Sequence, residues 1–123
     1  MALIAVVDDD AAFGGMLSDF LSARGHEPIA FSNGQEALDY VNDASKRLPR
    51  LILLDVMMPG MDGYTVYSKL QEGDRTRRIP IIVLTAKGRT RSLFESSLKV
   101  AAFLEKPVDL PNLERTIVKA LGG

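Results

Sequence analysis

Apolar and polar positions along the chain fall into two alternating kinds of segment. Short runs that are apolar almost throughout occupy Leu3–Val7, Pro28–Phe31, Leu51–Leu54, Ile79–Leu84 and Ala101–Leu104. Strands covered on both faces need this composition, so each run predicts a buried strand. Between them the apolar residues recur at helical spacing. Phe13, Met16, Leu17, Phe20 and Leu21 predict one helix, with Gly25 as its stop. Ser32 with Gln35 reads as a capping box opening a second helix through Ala37, Leu38 and Val41. Tyr64, Val66, Tyr67 and Leu70 mark a third, closed near Gly73, and Leu93, Phe94 and Leu98 a fourth. The last opens after Asp109, tolerates Pro111 in its first turn, and sets Leu113, Ile117, Val118 and Leu121 on one face.

Strands alternating with helices predict an α/β domain with a parallel sheet and right-handed crossovers. In such sheets ligands bind at the carboxyl ends of the strands, where the strand order reverses. Asp8, Asp9, Asp55, Thr85 and Lys106 all fall just past apolar strand candidates, so they belong on one edge of the sheet. Asp55 is the most telling. It ends the run Leu51-Ile52-Leu53-Leu54, and a buried, unpaired carboxylate would be costly. At a sheet rim it instead meets Asp8 and Asp9, and carboxylates so crowded repel unless a cation joins them. An acidic pair, an isolated carboxylate, a hydroxyl and a lysine form a phosphoryl-transfer set. A divalent ion takes the oxygen ligands, Asp55 attacks phosphorus, and Lys106 and Thr85 hold phosphate oxygens. Asp10 reads better as a helix N-cap or first-turn charge.

Composition narrows the classes without changing this picture. The 123 residues make one domain, and 46% hydrophobic with 25% charged residues is ordinary for a globular protein. A formal net charge of -1 gives no reason to expect nucleic acid or an anionic membrane as partner. There is no cysteine, which excludes disulfides and thiol catalysis. The N-terminal apolar run is too short for a signal peptide and ends in three aspartates. No segment has the length of a membrane span, so a cytoplasmic location is expected. The single histidine, His26, follows a helix-stop glycine and is expected to be exposed; it argues against a histidine phosphocarrier.

The chain resembles the receiver domains of response regulators, the phospho-acceptors of two-component signalling. The likeness runs from Val6-Val7-Asp8-Asp9 through Asn33-Gly34-Gln35-Glu36-Ala37-Leu38 and Leu54-Asp55-Val56-Met57-Met58-Pro59-Gly60-Met61-Asp62-Gly63. It continues through Pro80-Ile81-Ile82-Val83-Leu84-Thr85-Ala86 to Lys106-Pro107 and so covers essentially the whole chain, 1–123. The resemblance implies a flavodoxin-like, doubly wound (βα)5 fold with strand order 2-1-3-4-5. It implies Asp55 as the phosphorylated residue, with Mg²⁺ held by Asp9, Asp55 and the backbone carbonyl of Met57, and by Asp8 mostly through water. Thr85 and Lys106 would contact the phosphoryl group, Phe103 would be the aromatic switch that turns inward with Thr85, and the Lys106–Pro107 peptide would be cis. Phe103 reads equally well as ordinary core, and Lys106-Pro107 as a simple turn. The implied donor is a histidine kinase or a histidine phosphotransfer protein, and the target a downstream protein or a fused output domain. The protein would be a switch that catalyses its own phosphorylation and slow dephosphorylation, rather than an enzyme. It would be a monomer or a weak dimer through the face of the fourth helix, fifth strand and last helix.

Other classes fit less well. A metal-dependent phosphatase with an aspartyl nucleophile wants a carboxylate two residues after Asp55, where Met57 stands. A nucleotide hydrolase wants a glycine loop ending in Lys-Ser/Thr, and the chain has none. A flavin module of the same fold wants aromatic and hydroxyl-rich loops where this chain has acid. A receiver acting only as a protein-binding module, without phosphorylation, would lack one of the site residues. Met57 and Lys87, two residues past Asp55 and Thr85, suggest partial shielding of an acyl phosphate from water. Arg75, Arg77 and Arg78 read as solvated loop charges, whereas Lys87, Arg89 and Arg91 beside the site could steer an acidic partner. Finally, Lys99-Val100-Ala101-Ala102 lacks the glycine that usually ends the preceding helix in the family. Together with Gly88, Thr90, Ser92, Ser96 and Ser97, this predicts a short, frayed or displaced fourth helix.

Overall fold

Five strands hydrogen-bond side by side in the order second, first, third, fourth, fifth along the chain, and every neighbouring pair is parallel. In this computed structural model, which describes residues 2–56, 58, 62–86 and 99–122, they are β1 (Leu3–Val7), β2 (Glu27–Phe31), β3 (Leu51–Asp55), β4 (Ile81–Ala86) and β5 (Ala102–Lys106). The described helices are α1 (Ala11–Ala23), α2 (Gly34–Val41), α3 (Gly63–Glu72) and α4 (Leu110–Ala120). The α/β class, the parallel sheet and the 2-1-3-4-5 order agree with the sequence reading.

The uniformly apolar strands have a simple cause. Successive side chains point to opposite faces, and both faces are covered. Ala5, Val7, Ile52, Leu54, Ile81 and Val83 join one cluster with residues of α2 and α3, among them Leu38, Val66 and Leu70. Ile4, Val6, Leu51, Leu53, Ile82 and Leu84 join the other with Leu17 and Leu21 of α1 and Leu113 and Ile117 of α4. The three central strands are buried throughout apart from the last residue of β4, while edge strand β2, which contains Pro28, is half exposed.

Several expected boundaries move. The fourth strand starts at Ile81 rather than Ile79, because the Ile79 amide donates to the Thr76 carbonyl at 3.1 Å and Pro80 has no amide to donate. β3, β4 and β5 run on through Asp55, Thr85 and Lys106, which are strand residues instead of lying just past the strands. Backbone pairing, not side-chain polarity, ends a strand, and Val56 still donates to the Leu84 carbonyl at 3.2 Å. The cap of α2 is Asn33, whose side chain accepts from the Glu36 amide at 2.8 Å, while Glu36 accepts from the Ser32 amide and hydroxyl, each at 3.1 Å. The N-cap is therefore one residue later than Ser32, Glu36 reaches back past it to Ser32, and Gln35 bonds Asp39 instead. Met16 (38% exposed) and Val118 (47%) lie outside the buried stripes of their helices. Gly25 does stop α1, with a φ of 83°. The candidate helix at Leu93, Phe94 and Leu98, with Lys87, Arg89 and Arg91, lies outside the described residues, as does Met57.

Candidate functional site

The register of the sheet builds the site. β1 and β3 are neighbours with Val7 opposite Leu54, so the next residue of each, Asp8 and Asp55, come together where the strand order reverses. Asp55 pairs with Leu84, Thr85 with Glu105, and Ala86 with Lys106. Three strand ends and the residues after β1 thus deliver Asp8, Asp9, Asp55, Thr85 and Lys106 to one rim, as the sequence pattern predicts.

Asp8 and Asp55 are buried, at 4% and 3% exposure, and Asp9 is exposed. One carboxylate oxygen from each lies within 4.8 Å of the others. The Lys106 ammonium stands 2.9 Å from Asp8 Oδ2 and 3.5 Å from Asp55 Oδ2. Asp8 Oδ1 accepts from the Asp10 amide at 2.9 Å, which fixes the carboxylate between two donors. Burial alone would lower the pKa of the ammonium. The Asp8 hydrogen bond and the charges of Asp55 and Asp8 outweigh burial and raise it, so Lys106 stays protonated. Among the described residues, three carboxylates and one ammonium meet at this cluster. The donors are all hard oxygens converging on one point, and this set fits a hard divalent cation rather than a soft metal.

The remaining predicted residues are distributed as follows. Thr85 is fully buried, its hydroxyl 3.4 Å from the Ala86 carbonyl. Phe103 lies opposite Val83 in β5 and is half-buried against the α2–α3 side of the core. The Lys106–Pro107 peptide is cis. Asp10 caps α1, accepting from the Phe13 amide at 3.1 Å, so its capping role prevails. His26 is half-buried rather than exposed, because its Nδ1 accepts from the Ala2 amide at 3.3 Å. Asp62 caps α3 through the Thr65 amide at 2.9 Å.

Two supporting residues were not legible as such. Gly63 opens α3 so close to the backbone after Asp55 that a Cβ there would lie 2.4 Å from Val56 Cα. Its place in the Met61-Asp62-Gly63 motif was the only signal. The Tyr67 hydroxyl accepts from the Lys99 amide at 2.7 Å, holding the chain that leads into β5, and nothing in the sequence announces that contact.

A profile described as the response regulator receiver domain matches residues 4–118. Response regulator PleD of Caulobacter vibrioides is 42% identical over 109 residues, 88% of this chain and 23% of PleD. The polar-differentiation response regulator DivK of Brucella anthropi is 33% identical over 122 residues, 97% of this chain and 95% of DivK. The chain thus spans under a quarter of PleD and nearly all of DivK. Among solved structures, a response regulator receiver protein from Burkholderia phymatum superposes with a TM-score of 0.86 at 30% identity, over 99% of this chain and 96% of that one. The Vibrio cholerae chemotaxis protein CheY4 gives 0.85 at 26%, over 98% of each chain. With a profile match of that extent and relatives that similar along nearly the full length, the chain belongs to the response regulator receiver domain family, the signalling-switch module of two-component systems.

Proposed function

We propose that the chain accepts a phosphoryl group from a phosphohistidine donor onto Asp55 in the presence of Mg²⁺. The observation that carries this reading is the cluster of three carboxylates within 4.8 Å of one another, with one ammonium beside it, at the β1/β3 reversal of the sheet. A carboxylate oxygen of Asp55 forms a bond to phosphorus while the bond from phosphorus to the donor imidazole nitrogen breaks. The donor ring reacts with its other nitrogen protonated, so the imidazole takes the electron pair and departs neutral, and the acyl phosphate remains on Asp55. Asp8, Asp9, Asp55 and the backbone carbonyl of Met57 are the groups that would hold Mg²⁺. When bound, the ion offsets charge on the phosphoryl oxygens. Lys106 supplies a positive charge 3.5 Å from Asp55 Oδ2, and Thr85 a hydroxyl donor. Phosphorylation then shifts a two-state equilibrium in which Thr85 and Phe103 move together. The donor is a histidine kinase or histidine phosphotransfer protein, and the receiver, a single domain over 1–123, works in the cytoplasm on a downstream protein or a fused output domain. It does so as a monomer or weak dimer.

The test is labelling with acetyl phosphate and Mg²⁺, read by intact mass and by lability to hydroxylamine. The parent gains one acid-stable, hydroxylamine-sensitive phosphoryl group, EDTA abolishes the gain, and Asp55→Asn gains none. Labelling of Asp55→Asn equal to the parent would remove Asp55 as the nucleophile.

A further inference from the structure

The site has a neighbour on α1 that neither the motif nor the acidic cluster includes. The Lys106 ammonium lies 4.3 Å from the centre of the Phe13 ring, as well as 2.9 Å from Asp8 and 3.5 Å from Asp55. Phe13 follows the N-cap Asp10 by three residues, in the first turn of α1. It is half-buried beside the cluster formed by α1, α4 and the sheet. Its spacing with Leu17, Phe20 and Leu21 suggests only a core residue. An aromatic face carries negative potential and attracts a cation, most strongly where water is partly excluded. The Lys106 side chain is 25% exposed, so the ammonium meets that condition.

We propose that Phe13 is a positioning residue that holds the Lys106 ammonium at the phospho-acceptor site through its ring face. A lysine stem has wide rotamer freedom, and two carboxylates on one side do not by themselves define where its tip sits. The ring closes the position from the α1 side. It is also the one of the three contacts that does not lose strength when a divalent cation neutralises the acids. Asp8 and Asp55 then attract the ammonium less, while the ring attracts it as before. Phe13 thereby keeps the charge waiting at the edge of Asp55, which lowers the reorganisation needed when phosphate oxygens arrive. Its consequence for rate rests on phosphoryl transfer to Asp55, whereas the placement of the ammonium does not.

The experiment compares the parent with Phe13→Tyr, which keeps the ring, and Phe13→Leu, which keeps an apolar side chain without it. NMR of the Lys106 ε-methylene reads the contact directly. Ring-current upfield shifts and a nuclear Overhauser effect to the Phe13 ring are expected in the parent, with the upfield shift retained in Phe13→Tyr and lost in Phe13→Leu. Labelling by acetyl phosphate with Mg²⁺ is expected to be roughly two- to fivefold slower in Phe13→Leu and near parental in Phe13→Tyr. An unshifted Lys106 ε-methylene in the parent would overturn the placement. A folded Phe13→Leu that labels as fast as the parent would overturn the effect on rate. Should Phe13→Leu fail to fold, the parent signature and its retention in Phe13→Tyr still decide. Should the parent take no phosphoryl group at all, the phosphotransfer reading fails, and the NMR signature alone judges Phe13.

Discussion

The half-buried His26 ring is held by a contact in which its Nδ1 accepts from the Ala2 amide at 3.3 Å. Burial, followed by nearby positive charge that includes Arg50, lowers its pKa from the ordinary 6.5, with Glu114 opposing. Its Nδ1 must stay unprotonated to accept from the Ala2 amide. The unfolded chain therefore takes up this proton at a higher pH than the folded one. The contribution of His26 to stability is complete above the ordinary value, and it is lost as the pH falls through that value towards the lower folded one. The urea midpoint of the parent should drop more than that of His26→Gln between pH 7 and about 5.5. Parallel pH profiles for the two proteins would contradict this.

At the scale of elements, the join between β3 and α3 decides how well Asp55 is held. Gly63 donates its amide to the Val56 carbonyl at 3.3 Å, and a Cβ at Gly63 would lie 2.4 Å from Val56 Cα and 2.6 Å from Val56 Cγ1. Neither backbone can yield cheaply, because Val56 also donates to the Leu84 carbonyl and Asp62 caps α3. Gly63→Ala should destabilise the fold by about 1–3 kcal/mol, the range for overpacking. It should also weaken Mg²⁺ binding, since Val56 follows Asp55 directly. Denaturant unfolding and a metal titration measure the two effects. A variant with the parent's urea midpoint would mean that the junction relaxes freely. The same scale explains the displaced cap of α2. Ser32, Asn33 and Gln35 all suit a helix start, and only the backbone path selects Asn33.

For the whole molecule, the described part of the site gathers three carboxylates in a near-neutral chain of net charge -1. Asp55 is 3% exposed, lies 3.5 Å from the Lys106 ammonium that also bonds Asp8, and has carboxylate oxygens of Asp8 and Asp9 within 4.8 Å. These carboxylates repel one another, and a bound cation would offset that repulsion. Neutralising Asp55 as Asn keeps an oxygen acceptor for Lys106 and removes a charge, so metal-free Asp55→Asn should be at least as stable as the parent. Mg²⁺ should raise the melting temperature of the parent more than that of Asp55→Asn. A ligand that binds only the folded state stabilises it by about 2.7 kcal/mol at a hundredfold excess over Kd. Scanning calorimetry with and without Mg²⁺ measures both differences. A metal-free Asp55→Asn clearly less stable than the parent would show that the Lys106 pairing outweighs the repulsion.

How much of this was legible beforehand follows from what each feature depends on. Binary patterning alone determined five strands, of which the three central ones are buried, and their alternation with helices among the described residues, because two covered faces demand apolar residues at every strand position. Strand ends bearing Asp8, Asp9, Asp55, Thr85 and Lys106 followed from the same pattern, since the crossover rule puts all parallel strand ends on one rim. The order 2-1-3-4-5 and the roles expected of Met57 and Phe103 came only from resemblance to a family, whereas those expected of Asp55, Thr85 and Lys106 also followed from their chemistry. Tertiary structure alone decided the contacts between residues far apart in the chain. Examples are the pairing of Lys106 with Asp8, the Phe13 ring beside that lysine, the Tyr67 hydroxyl on Lys99, and the Ala2 amide on His26. Polarity periods report which face a residue occupies, and they carry no information on which distant partner meets it there. Exposure of Met16 and Val118 belongs to the same class, because an apolar residue at helical spacing is buried only if another element covers that part of the helix.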